Sequence, residues 1–182
     1  MKATGITRKI DELGRIVIPK EIRRTLRIRE GTPLEIFTEK NGEIILRKYS
    51  PMGEMVAFAQ QYADSLAQTT GMMVCISDME QVIAAAGGAK KEYMGKAVSE
   101  KLEQLMEERL QVQATPQEKK YVSIIREMPE EMFAQTICPI ICQGDVIGAV
   151  ALLAKDSKTQ MGEIEKKLAY CAAGFLGRQM EE

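Results

Sequence analysis

The chain has 182 residues, 45% apolar and 28% charged, the balance of a soluble globular protein with room for one or two domains. A net charge of −1 hides a division, because residues 1–50 carry 12 Lys+Arg against 7 Asp+Glu and residues 51–182 carry 13 against 19. A basic front on an acidic body points to a polyanion as partner of the front half, and the absence of any histidine removes the commonest general base and a common metal ligand.

The opening decapeptide "MKATGITRKI" has no apolar core of a signal peptide, and apolar runs such as "VIGAVALLA" are too short to cross a bilayer. The expected location is therefore cytoplasmic, with no membrane partner. The first fifty residues alternate short strand signals with turns. "ITRKI" reads as a strand, "DELG" as a turn in which Gly14 takes positive φ, and "RIVI" as a second strand. Pro19 suits the start of a helix over "PKEIRRTLRIRE", with Gly31 beyond its end. Ile22 and Leu26 share one face of that helix, while Arg23, Arg24 and Arg27 lie mainly off it. "PLEIFTEK" and "GEIILRKY" form a hairpin through Asn41-Gly42, a pair that favours a type I′ turn. Fifty residues with few large apolar side chains, no cysteine and no metal set make a marginal core. Oligomerisation is the remaining remedy, and the expected form is a dimer in which hairpins of two chains complete one barrel.

"YSPMG", with Pro51 and Gly53, marks the boundary between a first domain, 1–50, and a second, 51–182. "EMVAFAQQYADSLAQ" spaces Met55, Phe58, Tyr62 and Leu66 as a helix, with Ala59 and Ala63 beside them. "MMVCIS" and "VIAAAG" read as strands across the turn "DMEQ". "VSEKLEQLMEERLQ" reads as an amphipathic helix with Val98, Leu102, Leu105 and Met106 inward. "KYVSII", "FAQTICPII" and "DVIGAVALLA" read as strands, the last two joined at Gln143-Gly144. The closing helix "MGEIEKKLAYCAAGFLGRQM" places Met161, Ile164, Leu168, Cys171 and Phe175 in a three-four spacing. Its small residues Ala172, Ala173, Gly174 and Gly177 also suit close packing against a second subunit, and pattern alone does not separate that role from simple core.

Nine cations stand against three anions over residues 1–29, six of the nine being arginine. A charge run is usually just a solvated face, but arginine's planar fork suits phosphate and guanine contacts, and a dimer doubles the patch. The candidate DNA-binding residues are Arg8, Lys9, Arg15, Lys20, Arg23, Arg24 and Arg27, with Arg29 in the same cluster. The cysteines Cys75, Cys138, Cys142 and Cys171 read as reduced and mostly core, since "CPIIC" offers two sulfurs where zinc needs about four ligands. "GGAK" lacks the spacing of a phosphate loop, and no serine or cysteine has a histidine to activate it. Neither catalytic residues nor a metal or cofactor are expected.

"TGITRKIDELGRIVIPKEIRRTLRIREGTPLEIF" resembles the AbrB-type swapped-hairpin DNA-binding module through its R-x-I-D-x-L-G-R-I-V-I-P core, its E-I-R-R-T-L helix and its G-x-x-L-E-I strand. The resemblance covers residues 1 to about 50. It implies an α+β chain opening with an interleaved dimeric β-barrel, and DNA contacts at Arg8, Arg15, Arg23 and Arg24 with Lys9 beside them. Lys20 stands where relatives carry an apolar residue. "CPIICQGDVIGAVALL" and the helix–strand order of residues 51–182 resemble a GAF-type sensor domain with an antiparallel sheet. No "N-K-x-x-x-D-E"-like motif is present, so no ligand carries over. Over its whole length the chain is similar to transcription regulators of endospore-forming bacteria. That implies a nucleoid-associated activator and repressor of sporulation genes. Its partners would be double-stranded DNA, a second copy as homodimer, two further copies as homotetramer, and a small ligand of unknown identity. The alternatives are a ligand sensor whose output is protein contact and an antitoxin-like autorepressor.

Overall fold

The computed structural model describes residues 5–26, 28–49, 55–88, 90–127, 132–157, 159 and 161–180. The chain divides into two compact units, Met1–Tyr49 and Ser50–Glu182.

The first unit is a single-turn helix and one hairpin. Helix α1, Lys20–Thr25, follows Pro19, which stands at the N-cap, just outside the helix. Strands β1, Leu34–Thr38, and β2, Ile44–Lys48, pair antiparallel from Leu34 opposite Lys48 to Thr38 opposite Ile44. Their connection differs from the expected type I′ turn. Only Gly42 takes positive φ, at 85°, and the loop closes by Glu39 N–H donating to the Glu43 carbonyl over 3.0 Å. Asn41 instead uses its Oδ1 to accept from Glu43 N–H at 3.3 Å, which gives the longer loop. Arg47 stacks its guanidinium 4.6 Å from the centre of the Phe37 ring. Among the described residues the expected strands "ITRKI" and "RIVI" form no ladder. Two backbone bonds close the turn between them, Asp11 N–H to the Arg15 carbonyl at 3.0 Å and Gly14 N–H to the Asp11 carbonyl at 2.9 Å. Among the described residues no barrel closes.

The second unit is a five-stranded antiparallel sheet in the order β4-β3-β7-β6-β5, covered on both faces. The strands are β3 Met73–Asp78, β4 Val82–Ala86, β5 Val112–Ala114, β6 Ala134–Cys142 and β7 Asp145–Ala154. Double cover explains why β3 and β4 are buried throughout and read as unbroken apolar runs. On one face lie α2, Val56–Thr70, and α5, Glu163–Gln179; the other is covered by α3, Lys90–Tyr93, α4, Glu100–Glu107, and the segment after β5. Gly71, at φ 69°, ends α2. Ser99 caps α4 by accepting from Leu102 N–H at 3.0 Å.

Two expectations are corrected here, and one question the sequence left open, the inward face of the closing helix, is decided. The helix read as 98–111 stops at Glu107; Arg109 turns the chain at φ 56°, and residues 112–114 become an edge strand paired to β6. "KYVSII" is no strand: Val122, Ile124 and Ile125 are buried as cover over the core beneath α4, joined to Val98 by one isolated bridge. The inward face of α5 is Ala169, Ala172, Ala173, Leu176 and Gly177, whereas Ile164, Cys171 and Phe175 are exposed. The reason is distance. Gly177 approaches the sheet so closely that a Cβ there would stand 2.1 Å from the Ile141 carbonyl oxygen, and only small side chains fit such an approach. Likewise α2 buries Ala59, Ala63 and Ala67, and Phe58, Tyr62 and Phe175 meet beside the two helices with ring centres 5.3 to 6.4 Å apart.

Candidate DNA interface

The turn "DELG" is built by one carboxylate. Asp11 Oδ1 accepts from Leu13 N–H at 3.0 Å and from Arg15 N–H at 2.8 Å, so the side chain imitates a backbone turn. Its Oδ2 receives the Arg15 Nε at 2.9 Å in an exposed ion pair. The hydrogen bond from the Arg15 backbone, above all, holds the Asp11 carboxyl below its usual value; desolvation opposes it, and the Arg15 side chain and Leu13 N–H add to the lowering. Gly14, at φ 75°, returns the chain. Asp11 thus orients Arg15. Reading the sequence for cations passed over it, although an aspartate heading a turn four residues before an arginine was its visible signal.

The basic residues fall into two settings. Arg8, Lys9, Arg15, Lys20 and Arg24 are exposed. Arg8 donates to the Thr7 carbonyl at 3.3 Å. Arg23, expected to point outward with Arg24, is half-buried instead, its Nε donating to the Ile18 carbonyl at 3.2 Å. That bond ties α1 back to the apolar segment before Pro19, so Arg23 has a structural duty besides its charge. Arg27 lies outside the described residues. Ile22 is half-buried and Leu26 exposed, so α1 is held less firmly than its apolar stripe predicts.

Apolar residues surround this basic set without cover. Ile6, Ile10, Leu13, Ile16, Val17, Leu26, Ile36, Ile44 and Leu46 are 40–74% exposed in the single chain. Apolar side chains this dense on a unit of about fifty residues mark a surface that another element covers.

In the second unit Cys75 and Cys138 are buried, and burial pushes their thiols up to about 12 and about 11. Cys142 is half-buried and Cys171 exposed, so the expectation of mostly core cysteines holds for the sheet and fails on α5. An open cleft of about 440 Å³ lies along Gln113, Thr115, Glu118, Lys120, Met161 and Lys166. Among the described residues no helix is long and apolar enough to cross a membrane.

Comparison with known proteins follows the same two units. Residues 54–181 match the family model "Stage V sporulation protein T C-terminal, transcription factor", and residues 7–54 match "Antidote-toxin recognition MazE, bacterial antitoxin". Stage V sporulation protein T of Bacillus subtilis is 52% identical over 182 residues, the whole of both chains. The transition state regulatory protein AbrB of the same organism is 45% identical over 85 residues, 46% of this chain and 88% of AbrB. The GAF domain of an Acinetobacter phosphoenolpyruvate-protein phosphotransferase aligns with a TM-score of 0.55 at 9% identity, covering 71% of this chain and 90% of that domain, a likeness of fold alone. An AbrB-like unit followed by a GAF-like unit, matched end to end by one relative, places the chain in the stage V sporulation protein T family of DNA-binding transcription regulators.

Proposed function

We propose that residues 1–50 of two copies interleave into one barrel and present Arg8, Lys9, Arg15, Lys20, Arg23, Arg24 and Arg27 to duplex DNA at sporulation promoters, activating some and repressing others. The observation that carries this reading is the first unit itself. Its strand-forming segments 7–10 and 15–18 enter no ladder among the described residues, and large apolar residues of the same unit lie uncovered in the single chain. Adding a second copy gives both features a partner at once. Phosphate contacts then supply affinity, the few arginines that reach base edges supply part of the specificity, and DNA shape supplies more. The regulator works in the cytoplasm on the nucleoid, the forespore included, and the reading assigns it no catalytic step.

Residues 51–182 act in this proposal as a sensor and assembly domain. Ile164, Cys171 and Phe175 line the outer side of α5, where two dimers join as a tetramer, and a small molecule bound to the GAF-like fold biases that geometry. The antitoxin reading has the name of one matched family in its favour. Against it, the described residues between 55 and 180 form a packed domain with two cores, unlike the short disordered tail by which antitoxins hold a toxin.

The test is a gel-shift titration of the full chain with Arg23→Ala and Arg24→Ala combined. Loss of affinity and a shallower salt dependence are expected. Unchanged binding by a folded double variant overturns the assignment. Sedimentation of the full chain beside a variant with Phe175→Glu distinguishes tetramer from dimer; a wild-type dimer defeats the tetramer.

A further inference from the structure

Three side chains of the second unit's sheet, Ser77, Gln135 and Thr136, carry buried polar atoms without a hydrogen-bond partner, and Gln135 is the one with two such atoms. Gln135, in β6, is 0% exposed, and neither its Oε1 nor its Nε2 has a hydrogen-bond partner in the protein. A glutamine amide brings one acceptor and two donors, and such groups are paired in folded proteins with few exceptions.

Register places the amide. Gln135 lies opposite Leu153 on β7 and Ala114 on β5, and Ile137 stands two residues further on the same face. Leu153 and Ile137 belong to the core beneath α4, so the Gln135 side chain projects into that layer. The sheet contributes small residues there, Cys75, Ala85, Ala149 and Ala151, and three buried methionines, Met73, Met106 and Met132, fill the space. A guest in this layer displaces methionine side chains, which are unbranched and adapt to new neighbours more readily than branched ones. Val122, Ile124 and Ile125 form the cover, and their segment is fastened by the Tyr121 hydroxyl, which accepts from Met132 N–H at 2.9 Å.

The chemistry of a guest follows from what is buried. Among the described residues the only buried carboxylate is Asp78, whose Oδ1 is engaged by the Glu80 and Gln81 amides, and no lysine or arginine among them is buried. A charged guest finds no counter-charge among the described buried residues, and transfer of an unpaired ion to such a layer is heavily disfavoured. We propose that this face binds a neutral, largely apolar small molecule carrying an adjacent donor and acceptor, an amide, lactam or nucleobase edge, which pairs with the Gln135 amide beneath residues 121–125. The proposal rests on the reading of this unit as a small-molecule sensor and names the guest's class and its anchor.

Benzamide and 2-piperidone serve as neutral probes and benzoate as the charged counterpart of benzamide, each titrated into the full chain. Calorimetric unfolding and the side-chain NH₂ resonances of Gln135 are the two readouts. The expected result is that a neutral probe shifts those resonances and raises the unfolding temperature, benzoate does neither, and Gln135→Met weakens probe binding about tenfold while folding normally. Gln135→Leu repeats the comparison with a second apolar chain, and the NH₂ readout needs no variant. Equal binding of a neutral probe to wild type and both variants overturns the anchor but leaves a sensing domain. Benzoate binding as well as benzamide overturns the neutral class. No neutral probe reaching the wild-type amide, or a single ordered water satisfying it in a crystal with probe present, overturns the site, while the sensor reading stands or falls separately on whether any cell-extract fraction changes DNA affinity.

Discussion

Gly177→Ala tests the packing that sets the outer face of α5. A Cβ at this position meets the Ile141 carbonyl oxygen at 2.1 Å and its carbon at 3.1 Å, both backbone atoms of β6. Ordinary contact begins at 3.4 Å, so α5 must lift by roughly 1 Å. Nothing beneath it gives way, because Ala169, Ala172 and Ala173 already lie against the sheet at 0–2% exposure and would lose their contacts. Overpacking of this kind costs about 1–3 kcal/mol, and the backbone clash argues for the upper end. Replacing glycine by alanine inside a helix returns about 1 kcal/mol, leaving a net loss of about 2 kcal/mol. For a unit of this size that lowers the unfolding temperature by about 4–8 °C. Gly174→Ala is the control: nothing lies within 4 Å of its Cβ, so only the helix gain remains and the midpoint rises by about 2–3 °C. Calorimetric unfolding of both variants decides the matter. A Gly177→Ala protein as stable as wild type refutes the close approach, and with it the reason given for the exposed Ile164 and Phe175.

Further predictions concern the first unit. Arg24→Ala leaves stability within about 0.5 kcal/mol of wild type and lowers the log–log salt slope of DNA binding by about 1.8 per dimer, one phosphate contact per chain. Arg23→Ala adds a stability loss of about 1 kcal/mol, because it also removes the bond to the Ile18 carbonyl; equal unfolding temperatures for the two variants would contradict that division of labour. Val17→Glu, at a position 71% exposed in one chain, should abolish the dimer by sedimentation, and an intact dimer would place Val17 outside the interface. Asp11 titrates below its usual value, so its contribution to the turn is complete above the ordinary carboxylate range and disappears as pH falls through the lowered value. The Leu13 and Arg15 amide resonances should report a midpoint under 3.8, and a midpoint at or above 3.8 would mean that the carboxylate does not hold the turn.

The sequence was legible where one local rule decides the outcome. Gln143-Gly144 between two apolar runs closes a two-residue turn with both residues at positive φ, at 48° and 90°, and β6 and β7 follow from it. The same reasoning misread Asn41-Gly42, where only the glycine takes positive φ. Helical periodicity located α5 but not its rotation. Counting large apolar residues selects Ile164, Leu168, Cys171 and Phe175, whereas a helix seated this near a sheet is oriented by its small ones, and only the Ile141 carbonyl shows how near it is. In the DNA interface, charge and residue type picked out the cations, but the separate roles of Arg15 and Arg23 depend on Asp11 Oδ2 and the Ile18 carbonyl, which composition does not encode.

The two units meet the problem of burying apolar surface in opposite ways, and the contrast bears on regulation. The second unit covers both faces of its sheet from its own chain and keeps Ile76, Ile140 and Leu152 at 0% exposure. The first leaves Ile10, Leu13 and Val17 at 65–74% in one copy, so in the dimer reading its folding and its assembly are one equilibrium, dependent on protein concentration. Anything that raises the local concentration of first units then stabilises the DNA-binding form without touching it. A second unit that tetramerises does this through the covalent link alone. A small molecule that shifts that tetramer equilibrium would change operator occupancy through effective concentration, and no contact between the ligand and the arginines is required.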